Sequence, residues 1–197
     1  MKTYTRTVEE TKPLLVIEYD TDAESPRVWD NLGYFITVDR NYRSPDDYNG
    51  TIYNIVKSTG DVAESCDEHM KLIKKAIKED TGEKVVAIYP VVKYEHSAVS
   101  YSLGSRSGFD CSNNGFYIVT DKTQKVFGTP KKSFEKVTKE ELREYTQWAN
   151  GEMYRYTLFN KDGEIEDSCG GFYNREHIRE NLPKGWEKEN LRDYLNY

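Results

Sequence analysis

The chain has 197 residues and a formal net charge of −6, from 34 acidic and 28 basic side chains. An acidic chain is not expected to bind DNA over a broad face, because such binding rests on many Lys and Arg contacts to phosphate. No apolar run is long enough to cross a membrane and the amino terminus lacks the apolar segment of a secretory signal, so we expect a cytoplasmic protein.

Two strands are predicted in the amino-terminal part of the chain. Apolar and β-branched residues favour strands at 13–19 and 33–39, separated by an acidic loop at 20–26. Residues 40–50 are rich in turn-forming side chains. The next segment, 51–57, fits a short strand and a helical turn equally well.

The first helix is predicted over residues 62–80. Asp61 precedes it as a candidate N-cap, Glu64 has the capping-box spacing, and Gly82 follows as a C-cap. Apolar side chains recur at intervals of three and four residues, which places them on one face of the helix. These residues are Val62, Cys66, Met70, Ile73 and Ile77.

The centre of the chain is predicted to hold three strands around a polar loop. The strands cover residues 84–95, 98–103 and 115–120, and the first two are joined by a turn that holds His96. The loop at 104–114 is rich in Gly, Ser and Asn, a composition typical of loops that have a function on a rigid frame.

The carboxy-terminal part is predicted to hold a helix, a hairpin and two short helices. Thr138 and Glu141 have capping-box spacing at the start of a helix over 139–150. Asp162-Gly163 favours the turn of a hairpin. The remaining predicted elements are strands at 153–159 and 165–169 and helices at 175–182 and 188–196.

Together these elements predict one α+β domain over residues 1–197. Strands in hairpins with helices between them favour a mostly antiparallel sheet of about five to seven strands. Two main helices and short carboxy-terminal helices complete the prediction. Three widely spaced cysteines, Cys66, Cys111 and Cys169, are more typical of reduced thiols than of a disulfide framework.

Cys66 and His69 lie three residues apart on a predicted helix, a spacing at which both side chains could bind one zinc ion. No second ligand pair follows them, so no metal and no cofactor is predicted. The alternative is that Cys66 packs as a small apolar residue on the buried face of the helix.

A catalytic group can also be drawn from the central residues. His96 would activate Cys111 or Ser97 as a nucleophile, with Asp110 or Glu95 orienting the imidazole ring. Nothing in the sequence brings these side chains together, so we expect a protein that is not an enzyme. A third possibility is a small-ligand or nucleotide-binding module, in which Arg106 and the backbone of 104–108 bind an anion.

Three motifs in order along the chain resemble one known family. They are Pro-Arg-Val-Trp-Asp-Asn-Leu-Gly at 26–33, Tyr-Glu-His-Ser at 94–97 and Asp-Ser-Cys-Gly-Gly-Phe-Tyr at 167–173. The family consists of small, uncharacterised proteins encoded by bacteriophages and related mobile elements. Members often have Cys-Pro-Trp-Asp-Ser-Gly-Gln where this chain has Cys-Ser-Asn-Asn-Gly at 111–115. The resemblance therefore implies a phage setting and no mechanism.

This setting favours an anti-defence inhibitor of the anti-CRISPR or anti-restriction type. Such an inhibitor would act in the host cytoplasm by binding a protein or ribonucleoprotein of a nucleic-acid-processing defence complex. Acidity and 16 tyrosines suit a protein-binding surface. The predicted contacts are Trp29, Asp30, Tyr42, Asp46, Asp47, His96, Arg106 and Phe109. The alternatives are the Cys/His enzyme and the ligand-binding module.

Overall fold

The computed structural model describes residues 14–39, 43–173 and 175–186, and it confirms the α+β class. Within this part of the chain seven strands form two antiparallel sheets, where the sequence predicted one. The chain divides into two compact units. We call residues 26–146 the central unit, and residues 1–25 with 147–197 the terminal unit.

The central unit is built on a four-stranded sheet in which the longest strands lie in the middle. Its strands are β2 (Tyr34–Thr37), β3 (Val85–Glu95), β4 (Val99–Leu103) and β5 (Cys111–Thr120), in the order β2-β5-β3-β4. Residues 115–120 of β5 are all buried, because the sheet is covered on both faces.

Helices α1 (Thr51–Gly60) and α2 (Cys66–Thr81) supply apolar side chains to one side of this sheet. Their cluster with β2 and β5 contains Ile36, Ile52, Tyr53, Ile55, Val56, Ile73, Ile77, Phe116 and Ile118. The chain then forms α3 (Asp121–Phe127) and α4 (Phe134–Ala149). On α4, Tyr145 meets the ring of Phe35 edge to face, with ring centroids 5.3 Å apart.

The start of α2 differs from the prediction. Ser65 is its N-cap and accepts a hydrogen bond from the Glu68 N–H at 3.2 Å, while the Glu68 carboxylate accepts from the Glu64 N–H at 2.8 Å. Asp61 instead follows α1 as its C-cap. Cys66 is therefore in the first turn and exposed, so its predicted burial is wrong. The predicted C-cap, Gly82, is confirmed with φ +74°.

The start of α4 is also earlier than predicted. The helix begins at Phe134, so Thr138 and Glu141 lie inside it as buried residues and do not form a capping box. The ambiguous segment 51–57 is helical. Helix α3 was not predicted, although Thr120 and Thr123 form a reciprocal capping box at its start.

The terminal unit holds the predicted hairpin and a third strand. Its strands β1 (Leu14–Tyr19), β6 (Tyr154–Phe159) and β7 (Ile165–Phe172) are ordered β1-β6-β7, and α5 (Arg175–Glu180) follows. Their core contains Leu15, Ile17, Tyr154, Tyr156, Leu158, Phe172, Ile178 and Leu182. The predicted helix at 188–196 lies outside the described residues. Among the helices that are described, none has the length and apolarity needed to cross a membrane.

Candidate functional site

The motif at 26–33 forms a tight turn that leads into β2. The Asn31 side-chain amide donates to the carbonyl oxygens of Pro26 at 3.1 Å and of Trp29 at 2.6 Å, which closes the turn. A Cβ atom on Gly33 would lie 2.4 Å from the carbonyl oxygen of Ile118, so only glycine fits beside β5. Val28, Trp29 and Asp30 are left exposed between these fixed points.

Arg27 is the buried centre of this turn. Its Nε donates to Asp46 at 2.9 Å, one terminal nitrogen donates to Asn31 at 2.7 Å and Glu141 at 2.8 Å, and the other donates to the Gly33 carbonyl at 2.7 Å and to Asp46. All five guanidinium N–H groups therefore have an acceptor. The side chain is 3% exposed, so it cannot bind a ligand without losing one of these bonds.

Glu141 extends the network from α4 to the sheet. Its carboxylate accepts hydrogen bonds from the Leu32 N–H at 2.9 Å and from the Tyr117 hydroxyl. The same hydroxyl accepts from the Gly33 N–H at 2.9 Å. The network thus links the turn, β5 and α4 with every one of these polar groups satisfied.

The charges in the network shift the pKa values of its members. Burial and then the charge of Glu141 raise the pKa of Tyr117. Burial alone would lower the pKa of Arg27, but the hydrogen bonds and charge of Asp46 reverse this and raise it. Burial, followed by the charge of Asp46, raises the pKa of Tyr145 to about 12. The guanidinium therefore stays charged and both phenols stay protonated at neutral pH.

Asp46 also fixes the edge of β2. Its N–H donates to the Phe35 carbonyl at 3.1 Å, and its carboxylate accepts from the Phe35 N–H at 2.6 Å. Nearby, the Thr37 N–H donates to the Ser44 hydroxyl at 3.2 Å. The segment at 43–47 thereby occupies backbone groups that an edge strand would otherwise offer to a partner.

Asp47 caps the amino terminus of α1. Its carboxylate accepts from the N–H groups of Ile52 at 2.7 Å and Tyr53 at 3.2 Å. Its φ of +49° is uncommon for a residue other than glycine. A Cβ atom on Gly50 would lie 2.0 Å from the Asp47 carboxylate, so a larger residue there would push that carboxylate away from the N–H groups it caps.

An open cleft of about 370 Å³ lies over this network. Its lining residues are Arg27, Trp29, Asn31, Gly33, Tyr34, Pro45, Asp46, Asp47 and Thr123. Trp29 is 51% exposed. The structure thus brings together the predicted contacts Trp29, Asp46 and Asp47, and Asp30 is exposed beside Trp29. An aromatic face next to carboxylates can bind a Lys or Arg side chain. The predicted contact Tyr42 lies outside the described residues.

The other predicted contacts, which are His96, Arg106 and Phe109, form a second group in the central unit. Tyr34, beside the cleft, pairs with Ile118, whereas Tyr94 pairs with Cys111 near the other end of β5. Seven residues of strand correspond to about 23 Å. The predicted site residues therefore belong to two separate surfaces.

Within the second group, His96 and Asp110 are in contact. The imidazole Nδ1 lies 3.5 Å from a carboxylate oxygen, and the two side chains are 73% and 46% exposed. The Cys111 sulfur lies 3.9 Å from the Ser107 carbonyl oxygen. The structure thus brings together the base and the orienting acid of the predicted catalytic group, and it directs the thiol toward the loop backbone.

The loop of the second group is shorter than predicted, because β5 begins at Cys111 and leaves only residues 104–110 outside the strands. The Asn113 side chain holds it by accepting from the Arg106 N–H and donating to the Arg106 carbonyl, both at 2.9 Å. The Arg106 guanidinium lies over the Tyr94 ring, 4.9 Å from its centroid. Phe109 is fully exposed.

The remaining predicted ligands do not meet. His69 Nε2 lies 2.9 Å from the Val56 carbonyl, and the ring packs edge to face on Phe116 at 4.7 Å. Cys66 is exposed. In the described ranges there is no group of three or more His, Cys, Asp or Glu side chains placed to hold a metal ion.

The motif at 167–173 lies in the terminal unit, along β7. A Cβ atom on Gly170 would lie 2.3 Å from the Asp20 carboxylate, which also accepts from the Gly171 N–H at 2.8 Å. Gly171 has φ +80°. The paired glycines thus admit a close carboxylate from the same unit.

Sequence reasoning missed the roles of Arg27, Tyr117 and Glu141. The available signal was Glu141 itself, since it falls on the apolar face of a helical pattern, where an acid needs a partner. Comparison with known proteins gives no further guidance, because no protein-family model, curated protein or solved structure matches the chain.

Proposed function

We propose that this chain is an anti-defence inhibitor of the anti-CRISPR or anti-restriction type, which acts in the host cytoplasm by binding a nucleic-acid-processing complex. The observation on which this rests is the half-exposed Trp29 on a turn that Arg27 holds from below. The phage setting implied by the three motifs supports the same function.

The turn is suited to serve as the centre of an interface. Tryptophan is enriched among the few residues that dominate binding free energy. The backbone at Trp29 is already fixed by Asn31 and Arg27, so little conformational entropy is lost at this position on binding. The polar groups on the floor of the cleft already have hydrogen-bond partners within the chain. A partner protein would therefore bind the side chains at the rim.

The chemistry of the rim indicates the kind of partner surface. Trp29 and Tyr34 offer aromatic faces, and Asp30 adds an exposed carboxylate. Lys and Arg side chains bind such a surface by cation–π contact and charge attraction. Nucleic-acid-processing complexes expose Lys and Arg where they grip phosphate, which makes them fitting targets.

The proposal is tested by infecting hosts that have a panel of CRISPR and restriction systems, and by capturing the inhibited complex with the tagged chain. We expect plaque formation to rise in at least one system. Trp29→Ala should weaken capture about 30-fold, the effect of losing one dominant contact. Val62→Ala, at a side chain 69% exposed, is the matched control and should leave capture unchanged.

Three outcomes would overturn the proposal. The first is no gain in plaque formation against any system in the panel. The second is equal capture by the Trp29→Ala and Val62→Ala variants. The third is loss of inhibition in His96→Ala or Cys111→Ala while capture is retained, which would indicate the Cys/His enzyme instead.

A further inference from the structure

A third charged surface, apart from the cleft and from the group around His96, lies on the exposed side of α4 and of the 3₁₀ turn before it. Lys136, Lys139 and Arg143 recur at intervals of three and four residues, which places them within about 60° around the helix axis. Six side chains line one open depression here: Lys132, Glu135, Lys136, Lys139, Glu140 and Arg143. We call its four cations, Lys132, Lys136, Lys139 and Arg143, the basic face.

The basic face stands out against the charge of the chain. Residues 122–143 hold 7 Lys and Arg against 3 Asp and Glu, whereas the rest of the chain holds 21 against 31. One of the three acids, Glu141, is buried and bonded to Arg27. A chain of net charge −6 thus concentrates positive charge on one short segment.

The acids within the depression hold its lysines only weakly. Lys139 pairs with Glu135 at 2.6 Å and Lys136 with Glu140 at 3.8 Å, each four residues apart on the helix. All four side chains are about half exposed or more. Exposed pairs of this kind contribute a few tenths of a kcal/mol. A multiply charged anion can therefore displace them.

We propose that the basic face binds the phosphate backbone of nucleic acid without regard to base sequence. Three of its four cations are lysines, which bind phosphate as point charges on flexible stems. The exposed charges run along one side of α4 and of the turn before it, so a row of phosphates complements them. This site lies on a different surface from the proposed inhibitor interface and binds a different ligand. The two proposals can therefore be tested independently.

The test is fluorescence anisotropy of the full chain with a short labelled DNA duplex and the matching single strand. Four phosphate contacts predict a slope of log affinity against log salt of about −3.6 for the duplex and about −2.8 for the single strand. Between about 50 and 200 mM salt, affinity should fall about 150-fold for the duplex and about 50-fold for the single strand. The two probes show which form is preferred.

The variant Lys132→Ala/Lys136→Ala/Arg143→Ala removes three of these contacts and should flatten the slope to about −1. The matched control is Lys71→Ala/Lys74→Ala/Lys78→Ala. It removes three exposed lysines from α2, where four bases are balanced by four acids, and it should keep the slope. All six positions are exposed, and alanine favours helix, so both proteins should fold.

A second variant tests the same face by a gain of binding. Glu135→Gln/Glu140→Gln removes the two acids of the depression and should tighten duplex binding about fivefold. The proposal is overturned if neither probe binds at about 50 mM salt, or if both triple variants lose binding equally. Tighter binding to polyglutamate than to either DNA probe would also overturn it and would assign the basic face to an acidic protein partner.

Discussion

At the scale of single residues, Arg27 determines the conformation of the turn at 26–33. Its five N–H groups fix Asn31, the Gly33 carbonyl and two carboxylates, and the turn then exposes Trp29. The motif therefore combines a buried half, in which Arg27 holds the turn, with an exposed half that contains Trp29. The binding role that we propose for Trp29 belongs to the exposed half.

Replacing Arg27 tests the buried half. Arg27→Leu leaves Asp46 and Glu141 without their shared cation, and the free energy of unfolding should fall by about 3–5 kcal/mol. Urea unfolding followed by circular dichroism measures the loss. Arg106→Leu, at an exposed arginine of the same unit, is the control and should cost less than about 1 kcal/mol. Similar losses in both variants would contradict a structural role for the network.

At the scale of elements, local capping determines where each helix begins. Asp61 is the N-cap that the sequence predicts for α2 and Ser65 is the one observed, and both are residue types that cap helices well. The structure selects Ser65, because Asp61 ends α1 and the three residues between them form the connection to α2. The prediction placed this boundary too early because it counted Val62 in the apolar spacing of the helix, whereas Val62 is exposed.

The two caps can be separated by substitution. Ser65→Ala removes the side-chain acceptor of the Glu68 N–H, so the free energy of unfolding should fall by about 1 kcal/mol. Asp61→Ala should change it by less than about 0.5 kcal/mol. Thermal unfolding of the two variants side by side measures both values. A larger loss for Asp61→Ala would restore the predicted start of the helix.

At the scale of the whole molecule, both units bury tyrosines that resist ionisation. The pKa of Tyr145 in the central unit is raised to about 12 by burial and Asp46. The pKa of Tyr156 in the terminal unit is also raised to about 12, by burial and its hydrogen bond to Asp167. A raised pKa in the folded state means that folding favours the protonated phenol.

Alkaline pH should therefore destabilise the fold. The stabilisation is complete below about pH 10, where the phenols of the unfolded chain are protonated, and it is lost as pH rises to about 12. Tyr145 accounts for about 2–3 kcal/mol of this loss. Urea unfolding at about pH 9 and about pH 11 measures the first half of this loss, about 1.4 kcal/mol for Tyr145, and Tyr145→Phe should reduce the difference between the two pH values. An unchanged difference in that variant would contradict the assignment.

The sequence by itself determined the elements whose signals are local. Alternating and continuous apolar runs located the strands, Asp162-Gly163 located the hairpin turn, and Gly82 ended α2, because strand patterns and turn residues act within a few positions. The α+β class follows from those elements. Trp29, Asp46 and Asp47 were also identified as candidates, although nothing local indicated that they share a cleft.

Only the tertiary structure decided how these elements combine. Whether the strands form one sheet or two depends on pairing between distant segments, such as β1 with β6, and no local pattern encodes that pairing. The partners of Arg27 lie 19 and 114 residues away, at Asp46 and Glu141. Buried charged groups pair with whichever opposite charges the fold brings close to them. The sequence alone therefore could not predict this network. It sets the position of Trp29, and with it the proposed interface.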